Sequence, residues 1–102
     1  MLIITGTIKA ESLEEIERFK SALIRRAQRS REDKGCLDYA FAVSLENSRE
    51  IRLIEKWANE EALKAHLETP DPEFDELIKT ARIKKASIVA GEVGEEKQLM
   101  SR

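Results

Sequence analysis

An α+β fold in the order β-α-β-β-α-β is predicted by three features of the chain. Leu2 to Lys9 and Ile51 to Trp57 are short runs rich in β-branched residues, as strands are. Ile16, Phe19, Leu23 and Ala27 recur three and four apart, with charges opposite, which is the period of an amphipathic helix. From Cys36 to Leu45 apolar residues alternate with small ones, and Glu46 to Glu50 ("ENSRE") turns that strand back into the next as a hairpin.

Each element follows in order. The first strand carries Ile3, Ile4, Thr5, Thr7 and Ile8. Ser12 and Glu15 form a capping box at the start of the first helix, each side chain able to satisfy the other's backbone N–H. The helix runs to the basic stretch Arg29 to Arg31, which complements its dipole, and Gly35 ends the connection. On the second strand Leu37, Tyr39, Phe41, Val43 and Leu45 share one face, and Asp38, Ala40, Ala42 and Ser44 the other. Asn59 caps a short helix through Leu67, and Thr69-Pro70 stops it. Asp71-Pro72 restarts a helix, Asp as cap and Pro at the first position, which buries Phe74, Leu77, Ile78 and Ala81. Ile83 to Val93 is the final strand, centred on Ile88 and Val89. This divides the chain into one domain, residues 1–94, and a polar tail, 95–102.

Right-handed crossovers assemble these elements as a ferredoxin-like fold: one four-stranded antiparallel sheet with both helical segments on one face. The opposite face carries Ala40 and Ala42 where a solvated strand would carry charges. A second copy packed sheet to sheet would cover it, burying on the order of 1,000 Å² or more. The expected assembly is a homodimer through the sheet face.

With 102 residues, 41% hydrophobic and 37% charged, the chain reads as one soluble globular domain. A net charge of -2 argues against a nucleic-acid partner, and Arg25, Arg26, Arg29 and Arg31 read as a solvated helix end. Met1 to Ile8 is too short for a membrane span and lacks the pattern of a signal peptide. No membrane partner is expected. The single Cys36 cannot form an internal disulfide, so it reads as a buried structural thiol and the expected location is cytoplasmic.

Few groups can carry chemistry. The four glycines are scattered rather than gathered in a nucleotide loop, no Cys-x-x-Cys or His-x-x-x-His spacing occurs, and there is no nucleophile elbow. No metal or cofactor site is expected. What remains is His66, Trp57, Tyr39, Phe41, Glu55 and Arg52. By alternation Glu55 shares a strand face with Ile51, Leu53 and Trp57. A carboxylate there either reaches the sheet rim and a surface cation, or is buried and needs a donor such as His66 or Tyr39. His66 lies in the helix stripe Ala62, Leu63, His66, Leu67. It reads as a satisfied core histidine, a general base or a hydrogen-bond donor. Trp57 and Phe41 read as core aromatics. Together these residues outline a pocket between sheet and helices, with His66 at its tip.

Gly35-Cys36-Leu37-Asp38-Tyr39, Glu55-Lys56-Trp57 and the Ala62 to Leu67 helix before Pro70 resemble the central signature of the antibiotic biosynthesis monooxygenase domain. The resemblance spans essentially the whole chain in element order and implies a dimeric α/β barrel. It implies a cofactor-independent oxidation in which an electron-rich hydroxyaromatic is deprotonated and itself gives an electron to O2. In that reading His66 handles or orients the proton, Glu55 tunes it, and Trp57, Tyr39, Phe41 and Arg52 hold the small aromatic substrate. The chain departs from the pattern after Thr69-Pro70: Asp71-Pro72-Glu73 stands where a second histidine is usual. It also has no histidine after His66, which argues against a haem-degrading member.

Two other readings share this element order. An RNA recognition motif would need stacking aromatics on both central strands and a basic sheet face, and neither is present. A non-catalytic ligand-binding or stress-associated dimer would use the same pocket without turnover.

Overall fold

The computed structural model describes residues 1–102. The chain runs β1 (Leu2–Ala10), α1 (Leu13–Ser30), β2 (Cys36–Val43), β3 (Glu50–Trp57), α2 (Glu60–Glu68), α3 (Pro72–Thr80) and β4 (Ile83–Glu92). The four strands form one antiparallel sheet in the order β2-β3-β1-β4. The α+β, ferredoxin-like order predicted from the sequence is the order observed, the second helical segment being two helices of 9 residues each.

Register decides which side chains face the helices. Ile4 pairs with Glu55, and Glu55 with Tyr39; Gly6 pairs with Leu53, and Leu53 with Phe41. Leu2, Ile4, Tyr39, Leu53 and Trp57 are therefore on the inner face, where they pack with Ala27 of α1 into one core cluster. A second cluster joins Ala10, Ile51 and Leu77 to Ile16, Phe19 and Ala22 of α1. α1 is thus the element that ties both halves of the core together.

Several expectations are corrected. β2 ends at Val43, and a register shift between Cys36 and Asp38 bulges Leu37 out of the alternation. One extra residue breaks the period of two, so Leu37 is exposed although its sequence neighbours alternate as expected. Leu45 lies beyond the strand and is fully exposed. Of the apolar residues assigned to the last helix only Leu77 is buried; Ala81 is its C-cap residue, and Ile78 is 60% exposed. No helix covers β4, and Ile88 and Val89 at its centre are both more than half exposed. Ser12 does accept from the Glu15 N–H at 3.3 Å. The reciprocal half of the capping box is replaced: Glu15 takes Arg18 at 2.9 Å and the Arg82 N–H at 2.8 Å. Those partners, the Arg18 hydrogen bond first, hold the Glu15 carboxyl down at about 2. Cys36 is half-buried, and burial pushes its thiol pKa up. Beyond Glu92, Lys56 meets Glu96 at 2.7 Å. No helix is long and apolar enough to cross a membrane.

Gly35 is the tight point between β2 and α2. Its φ is +83°, and a Cβ added there would stand 2.5 Å from the Ala62 Cβ. Gly35→Ala therefore meets both left-handed strain and a clash, and is expected to cost about 2 kcal/mol or more. Gly94→Ala meets nothing within 4 Å and should leave stability unchanged. Urea unfolding midpoints of the two variants check this contrast.

Candidate functional site

The site is assembled from five elements: β2, β3 and all three helices. β3 turns Glu55 and Trp57 to the inner face, where the Trp57 indole Nε1–H donates to Glu55 Oε1 at 2.9 Å. Trp57 is completely buried and Glu55 is 7% exposed. No other protein group hydrogen-bonds to the carboxylate, so its second oxygen, Oε2, has no protein donor. The donor foreseen for a buried Glu55 was His66 or Tyr39; the indole takes that place.

α2 brings His66 to the indole. Asn59 caps the helix by accepting the Ala62 N–H at 2.9 Å, and one turn later His66 projects onto Trp57, ring centroids 4.6 Å apart. Tyr39 lies 5.5 Å from His66 and 6.4 Å from Trp57, centroid to centroid. The imidazole is 2% exposed and engaged at both nitrogens. Nδ1 meets Asp33 Oδ2 at 2.8 Å, and Nε2 meets Arg26 Nη2 at 3.1 Å.

Those two partners settle the tautomer. A guanidinium has no acceptor, so the Nε2 lone pair must receive the Arg26 proton; Asp33 then receives the Nδ1–H. His66 is neutral, and its only lone pair is already used. Burial lowers its pKa below the usual value, and the adjacent Arg26 charge works in the same direction, against the Asp33 hydrogen bond. Among the three roles the sequence left open, a resting general base does not match this geometry. The imidazole is instead a strut that aims Arg26.

Arg26 is the residue that the sequence misassigned. Expected on a solvated helix end, it is 7% exposed. Its Nη1 meets Asp71 Oδ2 at 3.2 Å, and its guanidinium carbon lies 4.3 Å from the centroid of the Phe74 ring. Its Nε has no partner. Asp71 caps α3, with Oδ1 taking the Phe74 N–H at 3.3 Å, and its Oδ2 is shared with Arg29 at 3.5 Å. Asp33 was also missed, for it sits in a loop that the helix pattern does not reach.

Beside these groups lies a cavity of about 470 Å³ between sheet and helices. Of the 20 residues around it 17 are hydrophobic; Arg26, Glu55 and His66 are the remaining three. Tyr39, Phe41 and Phe74 supply aromatic walls, and Ile88 lines the side toward β4. Arg52 does not belong to it. That side chain is on the other sheet face, mostly exposed, and paired with Glu50 at 2.8 Å. No three His, Cys, Asp or Glu side chains converge as metal ligands would.

A family model described as antibiotic biosynthesis monooxygenase matches residues 1–78. The chain belongs to that family. Its fold agrees: a candidate antibiotic biosynthesis monooxygenase from Deinococcus radiodurans superposes with a TM-score of 0.85 at 30% identity, over 99% of this chain and 100% of that one. A candidate family member from Nitrosomonas europaea gives 0.81 at 16% identity, over 91% and 98%. The protein PA3566 of Pseudomonas aeruginosa gives 0.72 at 24% identity, over 92% and 94%. Among curated proteins none matches the chain in sequence. Where this family member carries Asp71 instead of the histidine expected from the resemblance, the carboxylate caps α3 and pairs with Arg26.

Because His66 is the only histidine, its proton NMR titration is unambiguous. Its pKa is expected below 6.5, and Arg26→Gln should raise it as a like charge is removed. The unfolded chain binds this proton near pH 6.5 and the folded one only at lower pH. His66's contribution to stability is therefore complete above 6.5 and declines as pH falls from there through the folded value. Denaturation midpoints between pH 7.5 and about 5, wild type against His66→Gln, read that difference.

Proposed function

We propose that the protein is a cofactor-independent monooxygenase of an electron-rich hydroxyaromatic, of quinol, phenol or polyketide type, using O2. The observation that carries this reading is the cavity: about 470 Å³, apolar and aromatic, with Arg26, Glu55, His66 and the Tyr39 phenol as the polar side chains around it. That volume suits a molecule of two or three fused rings. Membership of the family supports the reaction class.

The reaction balances without an external reductant. The substrate loses its hydroxyl proton, and the electron-rich anion gives one electron to O2. Radical recombination then forms a carbon–oxygen bond as a peroxide. Loss of water leaves a carbonyl: one atom of O2 enters the product, the other leaves as water, and all electrons come from the substrate. An anthrone becomes an anthraquinone in this way.

We propose also that the working form is a homodimer through the outer sheet face. Ala40, Ile54, Thr5 and Val89 stand in one row across all four strands of that face. Ile54 is 36% and Val89 59% exposed, an apolar surface that a second sheet would cover.

Oxygen uptake with a panel of reduced naphthoquinols and anthrones tests the activity. Protein-dependent uptake above autoxidation is expected, and His66→Ala, which releases both Arg26 and Asp33, should lower it at least about tenfold. Uptake equal to autoxidation across the panel would make the protein a binding module. Ile54→Glu should convert the dimer to monomer in light scattering; a wild type that is already monomeric contradicts the assembly.

A further inference from the structure

Resting on the reading above, we propose that Glu55 takes the proton from the substrate hydroxyl and that Arg26 holds the oxyanion so formed. His66 then moves no proton; it is a positioning residue for Arg26. The substrate class narrows accordingly, to a fused-ring aromatic whose reactive hydroxyl is acidic enough to ionise beside a guanidinium.

Three features converge on this assignment. The first is that the imidazole lone pair is spoken for. A proton on Nε2 would bring a second cation to 3.1 Å from Arg26 Nη2, while Nδ1 already carries the proton directed to Asp33. The second is the asymmetry of the Glu55 carboxylate. Oε1 is held by the Trp57 indole at 2.9 Å, which orients the group, and Oε2 has no protein donor although the residue lines the cavity. A carboxylate oxygen that no protein group occupies, on a residue that lines the cavity, is free to accept from a ligand that donates. The third is Arg26, whose Nε lacks a partner and whose one carboxylate, Asp71, is shared with Arg29. A guanidinium that lines an apolar cavity and shares its one carboxylate with a second arginine offers positive charge to a developing oxyanion.

The charges facing Glu55 and Arg26 are consistent with this transfer. Asp33 and Asp71 are committed to His66 and to Arg26 with the α3 cap. Tyr39 keeps its proton, its pKa pushed up by burial and by the Glu55 charge, against the influence of Arg26 and Ser30. When the hydroxyl proton passes to Oε2, the O–H bond of the substrate breaks and that of the carboxylic acid forms. One negative charge moves from Glu55 to the substrate oxygen, and the net charge of the cavity is unchanged. An apolar site tolerates that step far better than the creation of a new ion.

The probe is 2-hydroxyanthraquinone, three fused rings already at the quinone level, whose anion and neutral form differ in colour. It binds without turning over, so the result is independent of oxygen chemistry. At a pH about one unit below the dye's own pKa, the free dye is mostly neutral. Bound to the wild type it should show the anion spectrum, with a pKa lowered by on the order of 1–3 pH units. The heat of binding should not vary with buffer, because the proton stays on the protein. Glu55→Gln and Arg26→Gln should each bind a dye that remains neutral. His66→Gln, whose carbonyl can still accept from Arg26, should keep the anion colour. Circular dichroism and Trp57 emission report whether each variant is folded.

A wild-type complex with the neutral spectrum overturns the proposal. So does a His66→Gln complex that turns neutral while Glu55→Gln stays ionised. A dye that does not bind overturns it together with the hydroxyaromatic reading of the cavity. Ionised dye in a protein that consumes no oxygen leaves this assignment standing and removes the monooxygenase one.

Discussion

The burial of one guanidinium organises this molecule. Arg26 projects from α1, the helix that joins both core clusters, and holds two other helices to itself. It meets His66 of α2, Asp71 at the head of α3, and the Phe74 ring one turn further on. Desolvating such a charge is costly, and removing one partner from a buried pair typically costs about 3–5 kcal/mol. The helices are thus positioned by the demand that Arg26 be satisfied as well as by apolar burial. Since the sheet cannot move away from Trp57 and Glu55, the same demand leaves a polar corner beside an otherwise apolar cavity.

Much of the fold was legible because it rests on local periods. The β-branched runs, the stripe Ile16, Phe19, Leu23, Ala27 and the caps at Ser12, Asn59 and Asp71 all name elements that exist. Leu37 was misplaced because a bulge is a pairing event between two strands, invisible in either alone. The site was legible in part. His66, Glu55, Trp57, Tyr39 and Phe41 do meet, since period 2 on β3 and the stripe on α2 both point inward. Arg26 escaped because a run of arginines at a helix end reads as solvent-facing. Its position one residue before Ala27, within the apolar stripe, was the available signal. Arg52 was mistaken for the opposite reason: it neighbours the right residues along the chain but alternates to the other face.

Glu55 and His66 also show how pairing redistributes chemical character. The family resemblance implied that the carboxylate tunes the imidazole. In the folded chain each is held by a different neighbour, the indole for one and the guanidinium for the other. A histidine with both nitrogens occupied is a rigid connector, and a carboxylate with one oxygen unclaimed keeps an acceptor free.

The break at Thr69–Pro70–Asp71 has a dynamic consequence. Helices of 9 residues have little stability of their own, so α2 persists only while docked on β3, and α3 only while docked on α1. Each has its own cap, and Asp71 joins them to α1 through a salt bridge that spans 45 positions of sequence. Either roof panel can therefore lift as a separate cooperative unit, at less cost than unfolding the sheet. Amide protons of 72–80 would then exchange well before those of β1 and β3. The ceiling of the cavity is thus built in two hinged pieces, the second latched to α1 by ion pairs from Asp71 and Glu73.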